Sequence, residues 1–189
     1  MTGPLTVCYL AGPPGAGKST LMAALTAACT RQPFDRPFAH DLLTGPYGYT
    51  AVELGRRRER FPGTDTLSMA VQPQVLAWLD GAPAALILGE GDRLATLGFL
   101  TGAAQAGHRV HLFMLDAPGT LLDARCAQRG STQSARWRAG RATKNARLAA
   151  HAEHHGLPVT LLDGRLTVPE LATRMMTALP QLTYLGATP

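Results

Sequence analysis

The chain has 189 residues and a formal net charge of +5, from 18 basic and 13 acidic side chains. This length suits one domain and is short for two. Hydrophobic residues make up 46% of the chain and charged residues 16%, so the chain can bury a core and is not expected to be disordered. No apolar run approaches the roughly 18–20 residues of a membrane span, and the N-terminus lacks the pattern of a signal peptide. We therefore expect no membrane association.

Three cysteines, Cys8, Cys29 and Cys126, are scattered along the chain without metal-ligand spacing. This use of cysteine is typical of reduced thiols in a cytoplasmic protein. A structural zinc site is therefore not expected.

Apolar runs alternate with helix-like stretches, in the order typical of a parallel α/β sheet. The first strand is predicted at 5–11, and a glycine-rich segment and a helix at 21–29 follow it. One domain is expected over 1–180, with a loose C-terminal tail at 181–189. The remaining predicted elements are strands at 37–41, 84–88, 109–115 and 159–162, and helices at 50–60, 65–79, 93–106, 118–129 and 168–178, with one further helix that ends at 155.

The segment GPPGAGKS at 12–19 matches the phosphate-binding pattern G-x-x-x-x-G-K-[ST] in full. Its small residues let successive backbone N–H groups surround an anion, and the dipole of the following helix adds to the attraction. Lys18 is expected to reach the β- and γ-phosphates of ATP as a catalytic charge, and Ser19 to offer its hydroxyl to Mg²⁺. The predicted ATP-binding residues are Gly12, Pro13, Pro14, Gly15, Ala16, Gly17, Lys18, Ser19 and Thr20.

Two carboxylates follow the strand predicted at 84–88. Ligands of open α/β sheets bind at the carboxyl ends of the strands, so we expect Glu90 to hold the Mg²⁺ shell or bind the acceptor. Asp92 and Arg93 are predicted to contact the substrate. The alternative is that Glu90 caps the helix predicted at 93–106. The sequence contains no N-K-x-D motif for reading guanine, which favours a kinase over a GTPase.

Asp41 ends the strand predicted at 37–41. In P-loop kinases that phosphorylate a hydroxyl, the base on the acceptor side commonly occupies this place, where a carboxylate accepts the hydroxyl proton. Asp41 is therefore the predicted catalytic base and acceptor ligand. Asp35 is its rival but precedes the strand, and a surface or capping role is the alternative for Asp41.

One cluster of basic side chains lies in the second half of the chain. Seven lie at 125–147, with no acidic residue among them. We expect a mobile basic lid at about 130–145, whose arginines stabilise charge on the transferred phosphoryl group and exclude water. Arg138 and Arg141 are its predicted catalytic residues, and Arg129 is predicted to bind ATP. The alternative is a solvated basic helix.

A second basic cluster, at 56–60, lies near aromatic residues in the sequence. This combination suits a groove that follows a nucleic-acid backbone and stacks an unpaired base, and a base in a duplex would have to be flipped out to reach it. Arg56, Arg57, Thr64 and Asp65 are predicted to bind the substrate. Ordinary packing, a solvated helix end and a helix N-cap at Thr64 or Asp65 are the alternatives. The other members and neighbours of this cluster are Arg58, Arg60, Tyr47, Tyr49 and Phe61.

Several segments resemble a known group of enzymes. The GPPGAGKST loop, the strand-ending Asp41 and the basic lid are similar to P-loop kinases of the nucleoside-monophosphate-kinase-like and polynucleotide-kinase-like group. GRRRERFPGTDTLSM at 55–69, GEGDRL at 89–94 and the stretch at 129–144 look like phage-type 5-hydroxymethyluracil DNA kinases. This resemblance implies a three-layer α/β fold, with a five-stranded parallel sheet in the order 2-3-1-4-5 between helices on both faces.

Together these observations predict an ATP- and Mg²⁺-dependent kinase with a hydroxyl acceptor. The resemblance favours the 5-hydroxymethyl group of 5-hydroxymethyluracil in DNA as that acceptor. The second hypothesis is a small-molecule kinase for a free nucleoside, nucleotide or other alcohol, and the third is an ATP-dependent DNA-binding module without phosphotransfer. The expected partners are ATP and DNA that carries a hydroxymethylated pyrimidine, and the expected location is the cytoplasm, or the host cytoplasm if the protein is phage-encoded.

Overall fold

A computed structural model describes residues 3–57, 63–131 and 133–186. Within these ranges the strands form one mixed sheet. The strands are β1 (Thr6–Ala11), β2 (Thr30–Phe34), β3 (His40–Thr44), β4 (Thr50–Leu54), β5 (Leu86–Glu90), β6 (Arg109–Asp116) and β7 (Val159–Asp163). In space they follow the order β2-β3-β4-β5-β1-β6-β7.

Helices cover both faces of the sheet. They are α1 (Lys18–Leu25), α2 (Gln72–Leu79), α3 (Leu97–Gln105), α4 (Gly119–Gln128), α5 (Ala135–His154) and α6 (Val168–Ala178). One apolar core contains side chains of α2, α3 and α5, and the other contains side chains of α1, α4 and α6. Because both of its faces are covered, β1 is buried along its whole length, as its continuous apolar sequence predicts.

The predicted fold class is confirmed. Strands β4, β5, β1, β6 and β7 are parallel, and counted along the chain these five have the expected order 2-3-1-4-5. The sheet differs from the expectation by two further strands. β2 and β3 form an antiparallel hairpin, and β3 pairs antiparallel with β4. The hairpin therefore extends the sheet on the side of β4.

The helix predicted at 50–60 is wrong, because β4 occupies its first half. Residues 51–54 are all buried, and the strand pairs with β3 on one side and β5 on the other. This pairing stabilises an extended conformation that the sequence window alone does not reveal. The strand predicted at 37–41 lies instead at 40–44 and runs antiparallel to β4. Residues 58–62 lie outside the described residues.

The predicted lid segment contains regular structure. Its residues from 135 onward form the first half of α5, and the side chain of Ser134 caps this helix by accepting a hydrogen bond from Trp137 N at 3.2 Å. The second half of α5 packs on the core through Leu148, Ala149 and Ala152. The basic stretch is thus joined without interruption to an anchored helix.

The loose C-terminal tail predicted at 181–189 is wrong for the residues that the structure describes. Residues 180–185 form a 3₁₀ helix, and Leu182 and Leu185 are fully buried in the core that also contains α1 and α6. The carbonyl oxygen of Leu185 accepts a hydrogen bond from the thiol of Cys29 at 3.4 Å. Residues 187–189 lie outside the described part of the chain.

Among the described residues, no helix combines the length and the apolar character that crossing a lipid bilayer requires.

We expect Leu185→Ala to lower the free energy of unfolding by about 2–5 kcal/mol, because it removes a fully buried side chain from the core. Urea unfolding followed by circular dichroism measures this change. Leu161→Ala is the matched control, since Leu161 is 66% exposed, and we expect a change within about 0.5 kcal/mol. Equal stabilities for the two variants would show that the C-terminal segment does not pack as described.

Candidate active site at the carboxyl ends of the strands

The phosphate-binding loop connects β1 to α1 and has a backbone that only glycine adopts readily. Gly15 and Gly17 have φ angles of 88° and 103°, in the left-handed region that favours glycine. A Cβ atom at Gly15 would also lie 2.7 Å from the carbonyl oxygen of Leu122. The loop therefore packs directly against α4, and a side chain at this position would force the two apart.

The start of α1 presents free backbone donors. No side chain caps this helix. Among the described residues, no carbonyl group accepts a hydrogen bond from the backbone N–H of Gly15 or of residues 17–20. Because unsatisfied N–H groups at a helix N-terminus attract anions, the loop fits the phosphates of a nucleotide. The predicted ATP-binding residues from Gly12 to Thr20 form this loop and the first turn of α1.

Lys18 folds back over the loop. Its Nζ donates hydrogen bonds to the carbonyl oxygens of Gly12 at 2.8 Å and Pro13 at 3.2 Å. Burial lowers the pKa of Lys18, the nearby carboxylates of Glu90, Asp92 and Asp65 oppose this effect, and the charge of Arg129 adds to it.

Glu90 is the last residue of β5 and faces the phosphate-binding loop. It is only 2% exposed, and this burial raises its pKa to about 7. Lys18 and the Ser19 hydroxyl oppose the shift, whereas the carboxylates of Glu53 and Asp65 add to it. A carboxylate beside a hydroxyl suits Mg²⁺, which usually takes one or two protein carboxylates together with phosphate oxygens. Ser19 and Glu90 therefore have the chemistry to hold Mg²⁺ against the phosphates, and their role as its ligands stays a prediction.

Thr64 and Asp65 support the loop that follows β5. Thr64 is fully buried, and its hydroxyl donates a hydrogen bond to the carbonyl oxygen of Glu90 at 2.7 Å and lies 3.1 Å from Tyr9 Oη. Asp65 Oδ1 accepts a hydrogen bond from Asp92 N at 3.0 Å. The prediction that Thr64 touches the substrate is therefore wrong, because its polar atoms are used inside the protein. Neither side chain caps a helix, since the 3₁₀ turn at 64–66 has no side-chain cap.

Two buried carboxylates lie side by side where β3 begins and β4 ends. Asp41 and Glu53 occupy paired positions on the two strands, and each is 5% exposed. Arg31 on β2 binds both, with its Nη1 3.2 Å from Asp41 Oδ2 and 2.6 Å from Glu53 Oε2. The contact to Asp41 has hydrogen-bond geometry, whereas the shorter contact to Glu53 is an ion pair without it. Arg56 Nη1 donates to the second oxygen of Asp41 at 3.3 Å.

Glu53 occupies the place in the parallel sheet at which the sequence predicts Asp41. Asp41 does not end the second parallel strand but begins the antiparallel strand β3. Glu53 lies at the carboxyl end of β4, which is the second parallel strand. Burial raises the pKa of Glu53, and Arg31 opposes this shift. The sequence analysis missed Glu53 and Arg31. The β-branched residues in TAVEL were the signal for a strand that ends in a carboxylate.

The other predicted substrate-binding arginines lie near this carboxylate pair or in the loop after β5. Arg56 also pairs with Asp35, whose side chain is 88% exposed. Arg57 is close enough for its charge to lower the pKa of Glu53. Arg93 is half-buried in the loop after β5.

Two aromatic residues of the predicted substrate groove lie elsewhere. Tyr47 and Tyr49 belong to the turn between β3 and β4, at the amino end of β4, whereas Arg56 follows its carboxyl end. Tyr49 packs against Tyr184 instead. The prediction that these tyrosines lie beside the basic cluster is therefore wrong, because the helix expected at 50–60 is an extended strand that separates them. Phe61 lies outside the described residues.

Three basic side chains of α5 pair with carboxylates on other elements. Arg138 binds Asp123 on α4, with Nε 2.9 Å from Oδ1. Arg141 and Lys144 lie 3.4 and 3.6 Å from carboxylate oxygens of Asp92. Of the two predicted catalytic arginines, Arg141 is thus held at the loop after β5, and Arg138 is held at α4. The exposed Arg129 follows the last turn of α4.

A groove of about 500 Å³ opens on the other side of β1, where β6 and β7 end. Arg125 joins this side to the phosphate-binding loop by donating to the carbonyl oxygens of Ala16 at 3.3 Å and Gly164 at 3.0 Å. The residues that line the groove include Asp116, Pro118, Leu162, Asp163, Arg165 and Arg174.

The sheet order, the phosphate-binding loop and the carboxylate at the end of β5 define a P-loop kinase. Within that class, the family model for P-loop Nucleotide Kinase3 matches residues 4–176, and the chain belongs to this family. The protein is therefore a phosphotransferase that uses ATP and Mg²⁺, which confirms the prediction of a P-loop kinase. A comparison with curated proteins gave no significant match.

Two solved structures illustrate the fold. A sugar kinase from Janibacter sp. HTCC2649 has a TM-score of 0.51 at 14% identity, over 98% of this chain and 100% of that one. Deoxyadenosine kinase from M. mycoides with bound dATP has a TM-score of 0.53 at 12% identity, over 92% of this chain and 99% of that one. At these identities the likeness shows the fold alone.

We expect Glu90→Gln to remove a pH dependence from the stability of the ligand-free protein. The Glu90 pKa rises from 4.5 to about 7 in the folded state, so the folded protein binds this proton more tightly than the unfolded chain. Stability from this group is therefore full below about pH 4.5 and falls by up to ~3 kcal/mol as the pH rises to about 7. Urea unfolding between pH 5 and pH 8 measures the dependence, and the variant should be the more stable protein at pH 8. An unchanged pH slope in the variant would contradict the assignment.

Proposed function

We propose that this protein transfers the γ-phosphate of ATP to the 5-hydroxymethyl group of 5-hydroxymethyluracil in DNA. The observation that carries the proposal is the meeting of three segments that resemble enzymes with this activity. A Cβ atom at Gly63 would lie 2.7 Å from Glu90 Cγ, Asp65 accepts a hydrogen bond from Asp92 N, and Lys144 pairs with the Asp92 carboxylate. The segments at 55–69, 89–94 and 129–144 thus converge on one loop beside the phosphate-binding loop.

We assign the proton acceptor to Glu53 rather than to Asp41. Each Asp41 oxygen already faces an arginine, Arg31 or Arg56. Glu53 Oε1 makes no hydrogen bond or ion pair within the described residues, and burial raises the pKa of Glu53, which strengthens it as a base. As the acceptor oxygen bonds to the γ-phosphorus and the β–γ bridge bond breaks, the hydroxyl proton moves to Glu53. Arg31 and Arg56 then fix the geometry of the carboxylate pair.

The other residues of the site have separate roles in the transfer. Bound ATP with Mg²⁺ supplies the phosphoryl group and an electrophilic phosphorus. Lys18 moves from the carbonyl oxygens of its own loop to the phosphates, where it stabilises negative charge. Arg141 extends from the lid helix toward the loop after β5 and neutralises charge on the acceptor side. The groove beside β6 and β7 accommodates the nucleotide base.

The acceptor is tested with radiolabelled ATP and four substrates, which are DNA with 5-hydroxymethyluracil, the same DNA with thymine, free 5-hydroxymethyl-2′-deoxyuridine and a panel of other nucleosides. We expect label transfer to the hydroxymethylated DNA, because its hydroxyl is the only acceptor that the thymine control lacks. Lys18→Ala is the negative control for transfer.

Transfer to free nucleosides alone would contradict the DNA acceptor and favour a small-molecule kinase. ATP-stimulated retention of DNA without any transfer would favour a DNA-binding module.

We expect Glu53→Gln to lower kcat by about 10²- to 10⁴-fold with little change in the KM for ATP, because it removes the proton acceptor and leaves the phosphate-binding loop intact. Asp41→Asn is the matched comparison, and its loss should be smaller because it weakens only the positioning by Arg31 and Arg56. Steady-state kinetics, with thermal unfolding to check the fold, distinguish the two variants. A larger loss in Asp41→Asn than in Glu53→Gln would make Asp41 the base.

A further inference from the structure

An open groove of about 490 Å³ runs along the first half of α5. We name it the α5 groove, and its lining residues are Ser134, Arg136, Trp137, Gly140, Arg141 and Lys144. Trp137 is 38% exposed and belongs to neither apolar core. The guanidinium carbon of Arg141 lies 4.9 Å from the centre of its ring, so this arginine holds the indole in place from one side.

The α5 groove opens on the acceptor side of the active site. Trp137, Arg141 and Lys144 have the spacing of one helix face, and the last two are held by Asp92. Asp92 follows Glu90 and β5, which lies between β1 and the carboxylate pair on β3 and β4. The groove that we assign to the base of ATP lies on the opposite side of β1, beside β6 and β7. A ligand in the α5 groove is therefore next to the acceptor.

The charge of the α5 groove favours a polyanion. Three basic side chains line it, and Asp92 compensates only one charge. Arg136 is exposed and has no ion-pair partner among the described residues. An exposed aromatic ring flanked by cations suits a single nucleic-acid strand, in which bases stack on aromatic side chains and phosphates contact Lys and Arg.

We propose that the α5 groove binds the DNA strand next to the target base, with Trp137 stacking on a neighbouring base and Arg136 and Lys144 contacting phosphates. This inference rests on the proposed function, since it requires an acceptor in DNA. It assigns to Trp137 a role in binding the polymer and none in the chemistry of the hydroxymethyl group.

Binding is tested first without any phosphotransfer. Fluorescence anisotropy of a labelled oligothymidylate, which contains no hydroxymethyluracil, measures affinity for the strand alone. We expect Trp137→Ala to weaken binding by about 5- to 100-fold, the loss typical of one stacked base, and Trp137→Phe to retain most of the affinity. Arg136→Ala should reduce the slope of log affinity against log salt by about 0.7, the value for one phosphate contact on a single strand.

Two variants at the amino ends of parallel strands, opposite the active site, are the matched controls. Tyr47→Ala removes an aromatic side chain that is 82% exposed in the turn between β3 and β4. Arg109→Ala removes an exposed arginine at the amino end of β6. We expect both to bind oligothymidylate like the unmodified protein. Equal losses in the controls and in Trp137→Ala, or no binding by the unmodified protein, would overturn the proposal.

Kinetics separate this inference from the proposed function. In Trp137→Ala we expect the KM for hydroxymethylated DNA to rise by about the same factor as the oligothymidylate affinity falls. The KM for ATP and the phosphorylation of free 5-hydroxymethyl-2′-deoxyuridine should not change. Trp137→Ala could lose oligothymidylate binding while the unmodified protein phosphorylates no DNA. That result would support DNA binding by the α5 groove and refute DNA as the phosphate acceptor. If Trp137→Ala binds and phosphorylates DNA normally, DNA binding by the α5 groove is refuted, whereas DNA as the phosphate acceptor is not.

Discussion

The buried carboxylate of Glu90 organises the active site. It lies at the end of β5, next to the strand that carries the phosphate-binding loop, and its burial raises its pKa to about 7. A buried carboxyl with such a pKa is costly in its charged form. Lys18 and Ser19 reduce that cost from one side, and Mg²⁺ with a nucleotide would reduce it further. If Glu90 holds the Mg²⁺ of bound ATP, as we propose, nucleotide binding would favour the ionised form of this side chain.

The loop after β5 links this centre to the rest of the acceptor side. Asp65 holds the backbone of Asp92, and the Asp92 carboxylate holds Arg141 and Lys144 on α5. The same loop therefore contacts the turn at 64–66 and the basic helix and directly follows Glu90. A displacement of α5 would act on the crevice through Asp92. This connection is compatible with the proposed role of the basic helix as a lid.

The β2–β3 hairpin adds charged side chains to the acceptor side of the five-stranded parallel sheet. It places Asp41 beside Glu53 and brings Arg31 across both carboxylates. Burying two adjacent carboxylates is unfavourable unless cations accompany them, which is the reason that Arg31 and Arg56 belong to this cluster. The result is one carboxylate, Asp41, whose two oxygens each face an arginine, and another, Glu53, of which one oxygen has no polar partner in the described part of the chain.

The sequence by itself determined the phosphate-binding loop, the parallel α/β class and Glu90 at the end of a strand, because each depends on residues adjacent in the chain. It also located the basic stretch, whose composition is a local property. Only the tertiary structure decided that residues 50–54 form a strand, that Glu53 stands where Asp41 was expected, and that Leu185 is buried. Those outcomes depend on pairing between β3, β4 and β5 and on contacts between α1 and the C-terminus. Likewise, Arg138 and Arg141 find their carboxylates on α4 and after β5, which no pattern within 125–147 reveals. Motifs of adjacent residues can be recognised in the sequence. Strand pairing, burial and long-range ion pairs cannot, because they form only when distant segments meet.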